Sequence, residues 1–501
     1  MDGNSVIKNI NSISPKTFGN ISKSLDENKA LLEDSFSGSF DIVIRNEKCG
    51  TKEFMFVFCD GLCDSLLIST CVVRPVINCR GPFPRNDTIG YLTGNVINCG
   101  ELKTERNLDR ALRSMLSGCT LVFVNDEDRC IVCSTQKIPV RSIDEPYTEV
   151  EEKGSREGLT ESIKMNTALL RKRMATPELK IDTLRLGLTS NTRAAICYIS
   201  GKVDEDLLEQ VRGRICKVKL DTVFGAFYMR SFLDTGIRSL FTMVGSTERP
   251  DVLCAKLNEG KVALLVDGTP FALFVPFLFI ENFQTMDDYL NRPFFASLIR
   301  ILRIVCFLFS VLLPGFYVAM GLFHQELLPD DMLYSIVMAE SNTMFPLVME
   351  ALIIHFIYEV VREAGLRMPK SVGHAVSIVG ALVIGDAAVT AGLIGAPMLI
   401  VVALTAISSF VVSNLYQPIS VLRFIFILLG GVSGLYGIMI GVGLLLVNMC
   451  AVTNCGVAYL SPFVPFNRGA MRDTVTRPSF VKMARGVFNI SGLRKGSGNG
   501  K

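Results

Sequence analysis

The sequence predicts an α/β cytosolic N-terminal region of two subdomains followed by an α-helical polytopic membrane domain. Three observations carry this reading. Of 501 residues, 49% are apolar and only 20% charged, with a mean hydropathy of +0.38; soluble chains carry about a quarter charged residues. Up to Phe277 short apolar runs alternate with amphipathic stretches, and after it the apolar runs lengthen. The charge divides at the same place: 14 of the 51 basic and 9 of the 48 acidic residues follow Ala296, a net +5, which leaves −2 before it. The first part therefore has no basic footprint for nucleic acid. The composition also excludes a disordered chain and a coiled coil.

The elements follow in order. Residues 1–36 are expected to be a flexible tail, rich in Asn, Ser and Lys through Lys29. The first forty residues hold no apolar core of about 7–15 residues, so no secretory signal is expected. In the first subdomain, 37–150, Phe40–Ile44, Phe54–Cys59 and Thr120–Val124 read as strands and Asp109–Leu116 as a helix. A charged link, Ile143 to Glu157, leads into the second subdomain, 151–280. There a helix follows Thr160 and ends in Arg171-Lys172-Arg173. That run suits the negative end of a helix dipole and reads as a solvated helix end. Arg193–Ile199, Asp204–Cys216 and Val218–Val223 suggest a β-α-β unit. Thr247 or Glu248 with Pro250 opens another helix. Asp267-Gly268, between Lys261–Val266 and Phe271–Val275, is a hairpin turn.

The fifteen cysteines are scattered and odd in number, which favours reduced thiols. Cys130 and Cys133 lie three apart in a strand pattern and point to opposite faces. They are expected to pack as small hydrophobes rather than hold a metal. No phosphate loop, nucleophile elbow or HExxH occurs, so neither an enzyme nor a cofactor is expected.

The membrane domain, 281–465, is expected to hold four to six membrane segments. Ile280 to Arg303 reads as an amphipathic approach. Ile304 to Phe323 is uncharged over 20 residues, about 30 Å of helix. Met344 to Val361 is a second span. Val372 to Val412 is long enough for a hairpin of two, turning at Gly392 to Pro397, and Val421 to Leu460 must cross twice or re-enter. Arg300, Arg303, Arg362, Arg367 and Lys370, with eight basic residues in the cytoplasmic tail, 466–501, mark the inner side. The acidic loop His324 to Asn342 falls outside, and an even number of crossings follows.

Ionisable groups inside spans are costly and face protein or water. Glu350, His355, Glu359 and Asp386 are therefore candidates for a pore or ion pathway. At 100° per residue His355, Glu359 and Glu363 share a helix face, with Glu350 opposite Glu359. A buried structural pairing of these acids, for example with Arg362, is the alternative. His324, His355 and His374 are too far apart to claim a metal. Gly430, Gly434, Gly437 and Gly441 have the small-residue spacing that lets helices approach closely in lipid, which suits tight packing or an oligomer. The basic tail suits anionic membrane lipid.

Several long motifs resemble the GerA spore germination family. They are Gly154-Ser-Arg-Glu-Gly-Leu-Thr-Glu-Ser-Ile-Lys-Met-Asn-Thr-Ala-Leu-Leu-Arg-Lys-Arg173, Glu248-Arg-Pro-Asp251 and Glu259-Gly-Lys-Val-Ala-Leu-Leu-Val-Asp-Gly-Thr-Pro-Phe271. In the membrane half they are Phe323-His-Gln-Glu-Leu-Leu-Pro329, Arg362-Glu-Ala-Gly-Leu-Arg-Met-Pro369, Val376-Ser-Ile-Val-Gly-Ala-Leu-Val-Ile-Gly385 and Tyr459-Leu-Ser-Pro462. The resemblance covers about Ser37 to Pro465 and points to the A subunit of a nutrient germinant receptor. It implies a multi-pass protein of the spore inner membrane that acts with B and C subunits. It further implies a homo-oligomeric, ligand-gated cation channel component, with the N-terminal domain and the tail cytoplasmic. Glu350 and Glu359 fall on acidic positions of the family's second membrane segment, whereas Asp386 stands where the family often has Gln. An accessory paralogue of the stage V sporulation AF type, acting as a non-conducting scaffold or amplifier, shares the motifs.

Overall fold

The computed structural model describes residues 18–79, 83–84, 87–137, 146, 149, 151, 153–235, 239–368, 385–483 and 490–494. Of the sequence expectations, the tail before Phe18, parts of the charged link, Lys370, His374, the Val376 motif up to residue 384 and the last basic residues lie outside these. The chain divides into two compact units: 1–233 with 244–276 and 489–494, and 234–243 with 277–488 and 495–501.

The first unit holds two wholly antiparallel five-stranded sheets. Strands β1 (Ile42–Cys49), β2 (Lys52–Cys59), β3 (Leu102–Glu105), β4 (Cys119–Val124) and β5 (Cys130–Ser134) lie in the order β1-β2-β4-β5-β3. Strands β6 (Leu179–Leu186), β7 (Thr192–Ile199), β8 (Gly245–Thr247), β9 (Val262–Val266) and β10 (Ala272–Val275) lie in the order β6-β7-β9-β10-β8. The two orders are the same plan used twice. Helix α1 (Leu25–Ser35) precedes β1 as α3 (Ile163–Arg173) precedes β6; α2 (Leu108–Leu116) precedes β4 as α5 (Pro250–Asn258) precedes β9.

The repetition is written in the sequence. Ser22-Lys-Ser-Leu-Asp-Glu-Asn-Lys-Ala-Leu-Leu32 returns as Thr160-Glu-Ser-Ile-Lys-Met-Asn-Thr-Ala-Leu-Leu170. In both copies the Asn amide closes on the backbone six residues earlier. Asn28 Nδ2 donates to Ser22 O at 2.6 Å and Asn28 Oδ1 accepts from Ser22 N at 3.0 Å; Asn166 does the same to Thr160 at 2.6 and 2.7 Å. Each entry segment is then tied to its own hairpin turn, Asp126 N to Lys23 O at 3.0 Å and Gly268 N to Glu161 O at 2.8 Å. Asp64 and Asp204 cap the helical stretches that follow β2 and β7, the second being α4 (Glu205–Cys216), by accepting from Leu66 N and Asp206 N. These bonds satisfy N–H groups that a helix start leaves open.

Alternation along the strands sorts the first sheet's side chains into two cores. Phe54, Phe56, Val122, Ile131 and Cys133 pack on one side, and Met55, Val57, Phe123, Cys130 and α2's Leu108, Leu112 and Met115 on the other. All fifteen cysteines are free thiols.

Three expectations are corrected. Residues 25–35 of the expected flexible tail form α1, with Asn28 and Leu32 buried. Val218–Val223 is not a strand, and no β-α-β unit forms. The next neighbour of β7 is β9, antiparallel, and the 220–223 backbone bonds instead to the β6–β7 turn, with Thr189 N to Asp221 O at 2.7 Å and Thr192 Oγ1 to Val223 O at 2.6 Å. The basic end of α3 is not wholly solvated. Lys172 and Arg173 pair with Glu157 at 2.6 and 2.7 Å, but Arg171 is fully buried and reaches Asp41 through Nε at 2.6 Å and Nη2 at 3.1 Å.

A pH prediction arises beside β8. Burial pushes the Glu149 carboxyl up to about 7, against the Thr247 hydroxyl that donates to it at 2.6 Å and the attraction of Arg249; Glu248 and Glu151 add repulsion. An acid raised on folding favours the protonated state. Its stabilisation is present below the unfolded value and is lost as pH rises from about 4.5 through about 7. The loss is on the order of 3 kcal/mol. Hydrogen exchange around Thr247–Asp251 should therefore be faster at pH 8 than at pH 5.5, after correction for intrinsic rates, and Glu149→Gln should remove the difference.

The second unit is helical. Helix α6 (Pro293–Phe323) begins earlier than the expected span and absorbs part of the expected approach segment. It is followed by α7 (Asp330–Glu340), α8 (Leu347–Arg367), a helical stretch at 385–390, α9 (Ala396–Val411) and α10 (Tyr416–Ala451). Pro293 and Pro397 occupy first-turn positions, where a missing N–H costs nothing. Among the described residues two helical stretches are long and apolar enough to cross a membrane, Pro293–Phe323 and Ser413–Ala451.

The second of these is not straight. Gly434 has φ 61° and ψ −146°, and the chain folds back there. A Cβ built on Gly441 would lie 2.7 Å from Leu429 Cδ1 and 2.9 Å from Phe426 Cε1. In a straight helix residues twelve apart are about 18 Å apart. The halves flanking Gly434 are each about 26 Å long, close to the ~30 Å hydrocarbon core. The first half runs parallel to α6, because Arg423 meets Ser310, Gly430 meets Gly315 and Gly434 meets Phe323. The second half returns, and the chain after it bonds to the start of the unit, Phe279 N to Tyr459 O at 3.0 Å. The polypeptide thus enters and leaves this bundle at one end.

At that end Arg300 is fully buried rather than free to meet lipid. It bonds to Asp288 at 3.0 Å and Asp473 at 2.8 Å, and Arg303 reaches Asp288 at 2.8 Å. Arg477 of the tail donates to Tyr289 O at 2.7 Å and Asn291 O at 3.1 Å. This part of the tail is docked on protein.

Candidate functional site

Helix α8 carries three of the four ionisable candidates. It is apolar overall, but Glu350, Ala351, Ile354 and His355 are buried, so two of its sides face protein. Glu350 looks toward the start of α9, where one carboxylate oxygen accepts from Gly395 N. The other oxygen has no hydrogen-bond partner among the described residues. Glu350 and Glu359 serve different sides of the helix, as the 100° rule implies for residues nine apart.

His355 and Glu359 share the face turned to α10. The ring of His355 is fully buried, and Nδ1 lies 2.8 Å from Ala351 O. A carbonyl only accepts, so Nδ1 carries the proton in this assignment and Nε2 presents a lone pair. Both Glu359 oxygens are engaged: Tyr416 Oη donates to one, and Ser420 Oγ to the other at 2.8 Å. Arg423 Nη1 stands 3.7 Å from the second. The Arg423 side chain is 1% exposed; its Nε donates to Ser310 O at 3.0 Å, and its guanidinium lies 5.6 Å from the centre of the Tyr358 ring. Arg362 stacks on Tyr416. Ser408, Ser409 and Thr405 are buried on α9, and Tyr358 Oη meets Ser409 Oγ at 3.5 Å. The interior of the helical unit is thus polar here, with the buried Arg423 guanidinium beside the Glu359 carboxylate and the half-buried Arg362 outside it on Tyr416.

Asp386 is placed differently. It is exposed on the helical stretch at 385–390. The four glycine candidates line the α10 fold and its contact with α6: Gly430 faces Gly315 O, Gly437 faces Leu429 O, and Gly441 faces Phe426.

Arg423 is the lone charge of its apolar stretch, and neither it nor Tyr416, Ser420 and Tyr358 stands among the sequence candidates. A single Arg in one span opposite a Glu in another is a pairing signal. Among the described residues no group of three His, Cys, Asp or Glu side chains is arranged to hold a metal.

Comparison with known proteins gives a consistent family picture. Residues 30–486 match the family model described as Bacillus/Clostridium GerA spore germination protein. Spore germination protein KA of Bacillus subtilis (strain 168) is 37% identical over 462 residues, 91% of this chain and 85% of that protein. The uncharacterized membrane protein YfkQ of the same organism is 35% identical over 486 residues, 95% of this chain and 94% of that one. Among solved structures, the N-terminal domain of the A subunit of the Bacillus megaterium spore germinant receptor GerK3 is similar at 25% identity and a TM-score of 0.43, covering 53% of this chain and 99% of that domain.

Proposed function

We propose that this chain, which belongs to the GerA family of spore germination proteins, works as the A subunit of a nutrient germinant receptor in the spore inner membrane. In this reading it acts with B and C subunits and assembles with copies of itself into a cation channel. The observation that carries the channel reading is the contrast among the four acidic and histidine candidates. Glu350, His355 and Glu359 turn into the protomer, whereas Asp386 is exposed. A pore formed between copies draws on outward-facing groups, so Asp386 is the residue assigned to attract cations. Entry and exit of the chain at one end of the helical bundle support an even number of crossings, with the N-terminal domain and the tail both cytoplasmic.

The test is potassium efflux from spores given candidate nutrients. Deletion of the gene should abolish efflux to one nutrient class, and Asp386→Asn should slow it severalfold with the protein still present in the membrane. Unchanged efflux in Asp386→Asn spores would remove Asp386 from the pathway. Glu359→Ala strips Arg423 of its nearest carboxylate, so it is expected first to lower the amount of protein.

A second reading, a non-conducting accessory scaffold or amplifier, is favoured by the saturation of Glu359 by Tyr416 and Ser420, which suits a structural pair. Efflux to every nutrient that is merely slower after deletion would select it.

A further inference from the structure

The first unit gathers its exposed aromatic rings in one segment. Among its described residues the exposed aromatic side chains are Phe224, Phe227, Tyr228 and Phe232, at 64, 42, 50 and 37%. Two short helical pieces follow one another there, Ala226–Met229 and Arg230–Leu233. They bury Ala226, Met229 and Leu233 and turn Phe227, Tyr228 and Phe232 outward. The rings form a group: Phe224 meets Tyr228 edge-on at 6.3 Å between centres, and the Arg230 guanidinium lies 6.0 Å from the centre of the Phe227 ring. Lys217 and Lys219, just upstream, are exposed as well. Exposed hydrophobes scattered singly are ordinary, whereas a contiguous patch marks a surface that something covers.

The course of the chain says what covers it. Residues 234–243 belong to the helical unit, where Thr235 Oγ1 donates to Thr453 O and Ser239 Oγ to Asn448 Oδ1 at 2.8 Å. They therefore sit at the end of α10, whose outward Leu444 and Val447 are 66 and 68% exposed. The second half of α10 is about as long as the hydrocarbon core is thick, so its end falls where hydrocarbon gives way to headgroups. Phe232 stands three residues before Thr235, and three residues of chain reach at most about 11 Å; the headgroup layer is itself roughly 5–8 Å deep. Aromatic rings flanked by basic side chains are the composition favoured at that level. We propose that the 224–232 segment lies on the bilayer surface, with Phe224, Tyr228 and Phe232 at the boundary of headgroups and hydrocarbon and with Lys217 and Lys219 against anionic headgroups. The first unit is thereby anchored by a surface of its own, besides its covalent links to the helical unit. The inference rests on the helical unit spanning the membrane.

The chain has no tryptophan, so a single introduced indole reports alone. Full-length protein carrying Tyr228→Trp is reconstituted into vesicles of phosphatidylglycerol and brominated phosphatidylcholine, whose bromine quenches an indole on contact. Leu444→Trp, on the outward side of α10, is the reference for immersion. The expected result is blue-shifted, quenched emission from both variants. Adding Lys217→Glu and Lys219→Glu to Tyr228→Trp should lower its quenching severalfold. Blue-shifted but unquenched emission from Tyr228→Trp, with Leu444→Trp quenched, would mean that a second copy or another protein covers the patch, and overturns the lipid contact. Red-shifted, unquenched emission would mean that water covers it, and overturns the contact equally. Absence of quenching in Leu444→Trp would instead overturn the membrane reading of the helical unit, and the surface contact with it. Should Tyr228→Trp fail to fold, Phe232→Trp is read in the same way.

Discussion

Asp41→Ala is expected to cost about 3–5 kcal/mol. Arg171 is fully buried, and every one of its nitrogens is engaged: Nε and Nη2 on Asp41, Nη1 on Thr176 O at 3.1 Å, and Nη2 also on Ser39 Oγ at 3.2 Å. The pair links α3 of the second sheet module to the start of β1 in the first. Lys164 to Asp60 at 2.8 Å and Lys180 Nζ to Ser35 O at 2.6 Å reinforce the same joint. Removing Asp41 leaves a charged guanidinium with neither water nor a counter-charge. Replacing both partners, Asp41→Leu with Arg171→Leu, removes that penalty and should recover most of the loss. Denaturant unfolding, followed by proteolysis of the first unit within the whole protein, measures both. A single variant as stable as the parent would show that the pair is screened by solvent.

Gly434→Ala should prevent the fold of α10. With φ 61° and ψ −146° this residue sits in a region open essentially to glycine alone, where a side chain adds about 1–3 kcal/mol of backbone strain. Its new Cβ would also press on His324 Cε1 at 2.9 Å and Phe323 Cβ at 3.1 Å. The alternative, a straight helix of 36 residues, would be about 54 Å long, nearly twice the hydrocarbon thickness. The variant is thus expected to be degraded or to melt well below the parent. Gly443→Ala on the second half meets nothing within 4 Å and should be neutral or slightly stabilising. Equal melting temperatures for the two variants in purified protein would mean that Gly434 does not form the bend.

Local pattern was legible where the burial demand is local. The Asp267-Gly268 turn lies where its hairpin signal puts it, between β9 and β10, and α2 follows its apolar spacing. The β-α-β reading failed for a non-local reason. Whether β7 pairs with a returning Val218–Val223 or with β9 depends on which hydrogen-bonding edge is reached first in three dimensions, and periodicity is silent on that. The doubled plan of the two sheets was present in the sequence as the repeated Asn clamp, but its meaning needed the strand orders side by side.

The sequence by itself determined where the water-soluble part ends, which stretches are apolar enough for a membrane, and which rare ionisable groups lie among them, because each of these follows from composition within one segment. Tertiary structure alone decided what those groups meet. Arg171 reads as a solvated helix end until Asp41, 130 residues earlier, closes on it. Glu350 and Glu359 read as opposite sides of one helix, but only the packing of α9 and α10 shows what each side meets. Arg423, a lone charge in an apolar run, gains its chemistry only from Ser310, Tyr358 and Glu359 on two other helices. Burial and pairing of a charge are set by neighbours distant in the chain, and in a low-dielectric interior those neighbours determine whether the charge is structural, reactive or still in need of a partner.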